Sequence, residues 1–167
     1  MKQYNQHSIF VFLLFCIYLS CNNKSSNQSE SDLVEIKENY GTGELSRFYT
    51  RLNGKIEGKM TDYYPSGAVK GERYFSDDKQ DGKTTLYYEN GQIKEVQYYI
   101  NGLRNGGDTI FYEGGHLKYV SEFRDEKQNG YLRKWDEDGS LVYEAKFNMD
   151  TLVEVEGKPI KTTQINK

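Results

Sequence analysis

The sequence predicts an all-β protein, an antiparallel meander of repeated β-hairpins with a 24-residue period, and three observations carry that prediction. Glycines recur every 24 residues, at Gly58, Gly82, Gly106 and Gly130 and again at Gly43, Gly67, Gly91, Gly115 and Gly139. A fixed period of this size marks one supersecondary unit copied head to tail. The 167 residues include 15 Tyr and 8 Phe beside only 2 Pro, and aromatic side chains suit a pleated, half-buried surface. When the copies are stacked, apolar residues fall into columns: Tyr63, Tyr87, Phe111 and Trp135; Val69, Ile93, Leu117 and Leu141; Phe75, Tyr99, Phe123 and Phe147.

The N-terminus stands apart from this pattern. Lys2 is followed by the apolar run Ile9 to Leu19 and then Ser20-Cys21, which reads as an export signal too short to span a bilayer, where about 20 apolar residues are needed. Ser20 before Cys21 resembles a bacterial lipobox, making Cys21 the lipidation site and the first mature residue. Ordinary cleavage nearby and an uncleaved anchor are the competing readings. Acyl chains on Cys21 would tether the protein to a membrane, each buried methylene contributing about 0.8 kcal/mol. With Cys21 acylated the mature chain has no other cysteine, which excludes a disulfide framework. The stretch Asn22 to Ser31, rich in Asn, Ser and Gln, has too little apolar content to fold alone. The expected divisions are a lipoprotein signal peptide over 1–20, a flexible tether over 21–38, the repeat domain over 39–150 and a C-terminal cap or tail over 151–167.

Within each copy the sequence places a strand of about six residues, a tight turn, a strand of about eight and a polar turn back. Pro65-Ser66-Gly67 recurs as Glu89-Asn90-Gly91, Glu113-Gly114-Gly115 and Glu137-Asp138-Gly139. Such a three-residue loop is a type I turn closed by a glycine at positive φ. With that loop, Tyr63 opposes Val69 and Asp62 opposes Lys70, so Tyr63, Val69 and Phe75 are expected on one core face, with Asp62, Lys70, Glu72 and Tyr74 on the other. The connecting turns are Asn53-Gly54, Asp77-Asp78, Asn101-Gly102 and Asp125-Glu126. Gly58 and its copies open the first strand, where the missing side chain is expected to admit an aromatic from the adjoining hairpin. Asp136, Lys134 and the segment from Thr151 onward, with Pro159, read as the cap that blunts an open edge.

The run Asp-Gly-Lys-x-x-x-Tyr-Tyr-x-x-Gly-x-x-Lys at Asp81 to Lys94, repeated between Gly43 and Phe147, resembles the bacterial variant of the MORN repeat. That resemblance implies a single-layer antiparallel sheet, exported or lipidated relatives, some labelled antitoxin-like, and a role in binding and scaffolding. It implies no catalytic residue.

The residues themselves offer little chemistry. Without Lys2 the chain carries 21 basic against 25 acidic side chains, interspersed and with no basic stripe, which argues against nucleic acid as a partner. His116 is the one histidine after the signal, and no nucleophile motif accompanies it. The carboxylate pairs Asp77-Asp78 and Asp125-Glu126 and the triplet Asp136-Glu137-Asp138 fall in turns, where charge is ordinary. No enzyme, cofactor or metal is expected. The expected function is a non-enzymatic, membrane-tethered lipoprotein that binds a protein at the cell envelope, with Tyr64, Tyr88, Tyr112, Tyr74 and Tyr98 as the candidate binding surface. Sheet packing is the competing role for the Tyr64 column. The alternative functions are an antitoxin or immunity protein and a glycan-binding module.

Overall fold

The computed structural model describes residues 32–159. The signal peptide, Cys21, the tether as far as Ser31 and residues 160–167 lie outside the described residues.

The described residues form one open sheet in which every pairing is antiparallel. In chain order the strands are β1 (Leu33–Asn39), β2 (Leu45–Leu52), β3 (Lys55–Tyr63), β4 (Val69–Ser76), β5 (Lys79–Gln80), β6 (Gly82–Tyr87), β7 (Ile93–Ile100), β8 (Leu103–Arg104), β9 (Gly106–Phe111), β10 (Leu117–Arg124), β11 (Lys127–Gln128), β12 (Gly130–Trp135), β13 (Leu141–Asn148), β14 (Thr151–Val155) and β15 (Lys158–Pro159). Neighbours in sequence are neighbours in space, and the two-residue strands β5, β8 and β11 sit beside β4, β7 and β10. The all-β, single-layer meander expected from the repeats is therefore the observed fold.

The lower boundary of the repeat domain moves. Residues 33–38, expected to be tether, belong to β1, which pairs with β2 from Leu33↔Leu52 to Asn39↔Leu45. Polar residues dominate this stretch on average, but Leu33, Val34 and Ile36 supply a short apolar run with a ready template in β2. At the other end, β14 and β15 extend the sheet beyond 150.

Both turn types follow from their residues. In the hairpin loop the Gly67 N–H donates to the Tyr64 carbonyl at 2.9 Å and the Tyr64 N–H to the Ala68 carbonyl at 2.8 Å, and Gly67 has φ of 86°, a value glycine adopts without strain. The connecting turns have positive φ at both central residues, 51° and 85° at Asn101 and Gly102, the type I′ geometry that matches strand twist. Positive φ at Gly58, Gly82, Gly106 and Gly130 favours glycine where each hairpin's first strand opens, and packing adds to it at Gly82 and Gly106. A Cβ on Gly106 would lie 3.2 Å from the Cβ of Tyr98, and one on Gly82 would lie 3.5 Å from that of Tyr74. The adjoining hairpin's tyrosine fills the space at these two glycines, whereas Gly58 meets Thr50 and Gly130 meets Glu122, so the expected aromatic is absent there.

One register expectation fails, with consequences for the whole surface. Tyr63 opposes Val69 as expected, but Asp62 opposes Gly71, so Lys70 is an extra residue in β4. This β-bulge shifts all later residues of the strand by one. Phe75 therefore opposes Gly58, while Lys59, on the face of Tyr63, opposes Tyr74. The same slip separates Tyr87/Ile93 from Tyr99, and Trp135/Leu141 from Phe147. The expected core face is thus divided: the Tyr63 and Val69 columns lie on what we call the front face, and the Phe75 column lies on the back.

With one layer and two faces, little is enclosed. Tyr49, Met60 and Ala145 are the buried hydrophobic residues among those described. Stability must then come from the ladder and from bonds between repeats. On the hairpin-turn side, the Tyr40 hydroxyl donates to the Tyr63 carbonyl at 2.5 Å, Tyr64 to Tyr87 at 2.8 Å, Tyr88 to Phe111 at 2.7 Å and Tyr112 to Trp135 at 2.9 Å. On the opposite side, the Asp78 N–H reaches the Ile56 carbonyl, Gly102 that of Gln80, Glu126 that of Arg104 and Asp150 that of Gln128.

Candidate functional site: the front-face stripe

Alternation from the bulge outward assigns each column to a face. The front carries Tyr63, Tyr87, Phe111 and Trp135 beside Val69, Ile93, Leu117 and Leu141, and farther along the strands Tyr74 and Tyr98. Repeats advance by two strands, so equivalent side chains stand about 9.6 Å apart. Ile93, Leu117 and Leu141 are 40%, 39% and 51% exposed, and Tyr74 and Tyr98 are 44% and 45% exposed. Large apolar side chains this open, in line and on one face, form the kind of patch that marks an interaction surface.

The five candidate tyrosines do not share a surface. Tyr74 and Tyr98 are on the front stripe. Tyr64, Tyr88 and Tyr112 are on the back, with their hydroxyls committed to the next repeat's carbonyls and the ammonium groups of Lys70, Lys94 and Lys118 at 5.7, 5.7 and 5.1 Å from their ring centres. Each ring is held by a cation–π contact and a hydrogen bond. The final copy has Asp136 and Val142 where the others have Tyr and Lys, and it is also where the 24-residue pattern ends. A staple is unnecessary without a following repeat to hold.

The back face carries the Phe75 column and, beside it, a set of partly buried charged groups. Asp62 lies between Arg47, whose Nε is 2.6 Å from Asp62 Oδ1, and Arg73, which bonds Asp62 Oδ2; Arg47 also faces Glu38 at 3.5 Å. The bond to Asp62 raises the Arg47 guanidinium above its ordinary value. In the following repeats Gln97 links two acids, donating to Glu95 Oε1 at 2.7 Å and to Asp108 Oδ2 at 3.3 Å. Burial raises Glu95 and Asp108 above the usual carboxylate range, and for Glu95 the charge of Asp108 adds to it. Asp108 Oδ1 and Ser121 Oγ, on opposed residues, have no hydrogen-bond partner. A hollow of about 570 Å³ near the C-terminal end is lined in part by Lys94, Lys118, Lys134, Tyr112 and Tyr119.

The remaining sequence candidates have local duties. His116 is exposed, with Nδ1 3.0 Å from the Glu137 carbonyl. Asp78 accepts from the Ile56 N–H at 2.7 Å, and Glu126 from the Arg104 N–H at 2.6 Å and from Arg104 Nε at 2.8 Å. Those carboxylates stitch adjacent turns. Among the described residues no group of three or more His, Cys, Asp or Glu is placed to hold a metal.

Sequence reasoning missed the front stripe because it assumed an unbulged strand. The lysine column gives no warning of the bulge, because Lys70 shares the face of Tyr64 in the unbulged register as well and the slip takes effect only from Gly71 onward.

An open single-layer sheet of stapled hairpins with an exposed apolar stripe defines a β-repeat protein of the surface-presenting kind. Residues 53–77 and 80–101 match the family model described as MORN repeat variant. MORN repeats are in general protein- and membrane-interaction modules, and the family is typically non-catalytic. No curated protein is similar enough to the chain to match it.

Proposed function

We propose that this protein is a non-enzymatic lipoprotein, tethered to a cell-envelope membrane through Cys21, whose front face docks another protein. The observation that supports the docking reading is the line of Ile93, Leu117 and Leu141, left 39–51% exposed with Tyr98 beside it. An extended apolar stripe at regular spacing suits an elongated partner that contacts successive repeats. The membrane half of the reading rests on the apolar run to Leu19 followed by Ser20-Cys21.

Photo-cross-linking residues introduced at Leu117 and Leu141 on the front and at Lys94 and Val142 on the back test the docking face in intact cells. Front positions should capture the same protein and back positions should not. Equal capture from both faces, or none from the front, would overturn the assignment. Incorporation of labelled palmitate should be abolished by Cys21→Ala; labelling that persists in that variant removes the tether.

A further inference from the structure

The two edges of the sheet differ. Among the described residues the C-terminal edge is β15, which carries Pro159, and a proline removes a donor that an edge strand needs for further pairing. The N-terminal edge is β1, seven residues without proline, and among the described residues it is bonded on one side only. Leu33 and Val34 on it are 64% and 42% exposed. A strand of this kind is a template for another strand.

The bonding pattern with β2 fixes which backbone groups face outward. The Asp32 carbonyl accepts from the Asn53 N–H at 2.9 Å, and the Tyr40 N–H donates to the Glu44 carbonyl at 2.8 Å. Both even-numbered residues turn towards β2, and N–H and C=O of one residue point the same way in an antiparallel strand. Leu33, Glu35, Lys37 and Asn39 therefore direct their N–H and C=O groups outward.

We propose that β1 pairs with β1 of a second copy of this chain, antiparallel about a two-fold axis at Ile36. Only odd residues carry outward bonding groups, so odd must oppose odd. Centring the pair on Ile36 sets Glu35 opposite Lys37 of the second copy and Lys37 opposite its Glu35, two opposite-charge pairs made by one symmetry operation. The adjacent allowed registers centre on Glu35 or on Lys37 and oppose like charges, which destabilises the pairing. The strand is complementary to itself in one register, and a continuous two-chain sheet results.

The register can be read chemically. At the two-fold, Ile36 forms a non-hydrogen-bonded pair with its symmetry mate, with Cα atoms about 4.5 Å apart, inside the range a disulfide spans. Ile36→Cys, Glu35→Cys and Lys37→Cys are introduced separately into the full chain and mildly oxidised, with the unsubstituted protein showing the background from Cys16 and Cys21. Ile36→Cys should give a covalent dimer severalfold above that background, with the other two near it. Adding Lys37→Glu to Ile36→Cys should suppress the dimer, and further adding Glu35→Lys should restore it, which also shows that neither charge change unfolds the strand. The proposal fails if Ile36→Cys cross-links no more than background, if positions 35 or 37 cross-link best, if charge reversal leaves the yield unchanged, or if the captured molecule is a different protein.

Discussion

Asp62 and Asp108 lie on the same face of the sheet and are held in opposite ways. Asp62 sits between the guanidinium groups of Arg47 and Arg73. Asp108 faces Glu95 across the Gln97 amide, and Arg104, whose charge acts on it favourably, is itself bonded to Glu126. Arg73 and Gln97 occupy equivalent positions of successive repeats. The backbone column is constant while its chemistry changes from cation to amide. In a sheet whose repeats contact only their neighbours, such a change is felt locally. One repeat boundary is strengthened by charge and another is weakened by it.

The largest expected effect is at the first cluster. Asp62→Ala removes the carboxylate between two cations and leaves them facing each other. Arg47 and Arg73 retain side-chain exposures of 40% and 30%, so water relieves part of the penalty, and the expected loss is about 2 kcal/mol. A fall in the urea midpoint with unchanged slope is the readout. A loss within experimental error would mean that the two clusters do not differ in kind.

The comparison also shows what could be read before the structure. The 24-residue glycine period, the tight turns and the length of the paired strands were legible because each is set by local chemistry: Gly67 must take positive φ, and Pro65 suits the first turn position. The division of faces was not. One extra residue at Lys70 reverses the remainder of each second strand, and a bulge leaves almost no compositional trace. Tyr74 and Tyr98 were found as candidates on tyrosine content and then fell on the front stripe. Tyr64, Tyr88 and Tyr112 were named for the same reason and are staples, because only coordinates show a hydroxyl reaching the carbonyl 23 residues onward. The two acid clusters were invisible since Asp62, Glu95 and Asp108 come together with their partners only across strands.

The next effect tests whether the missing cation explains the second cluster. Gln97→Arg places in that column the residue its neighbouring repeat already has, within reach of Glu95 and Asp108. A charge-assisted bond there should stabilise the protein by about 1 kcal/mol at neutral pH. A destabilised variant would show that geometry, rather than the lack of a cation, sets the state of Asp108.

A smaller gain is expected from Asp108→Asn, somewhat under about 1 kcal/mol, since the amide removes a buried charge but keeps the shape. Its pH dependence is more telling than its size. Burial raises folded Asp108 above its unfolded value, so the folded state binds the proton more tightly and the aspartate loses stability as pH rises through the folded pKa. The variant's advantage should be absent below about pH 3, where aspartic acid is neutral in both states, and should grow as pH increases through the unfolded and then the folded value. An advantage independent of pH would point to packing instead of charge.

An acid with its own cation supplies the opposite sign. Glu72 accepts from Lys59 Nζ at 2.8 Å, and this bond lowers its pKa, with a further hydrogen bond from the Tyr87 hydroxyl at 3.2 Å. A lowered carboxylate contributes stability that is complete above its unfolded pKa and disappears as pH falls through the folded value. Glu72→Gln should therefore cost about 0.5 kcal/mol near neutrality, because Lys59 is half exposed and the pair is screened. That cost should vanish in acid, once pH falls below the lowered folded value of Glu72. Two single substitutions, one stabilising and one destabilising at neutral pH and both silent in acid, would separate the paired and unpaired carboxylates of this sheet by titration alone. If both shifted stability in the same direction with pH, the distinction drawn from their neighbours would be wrong.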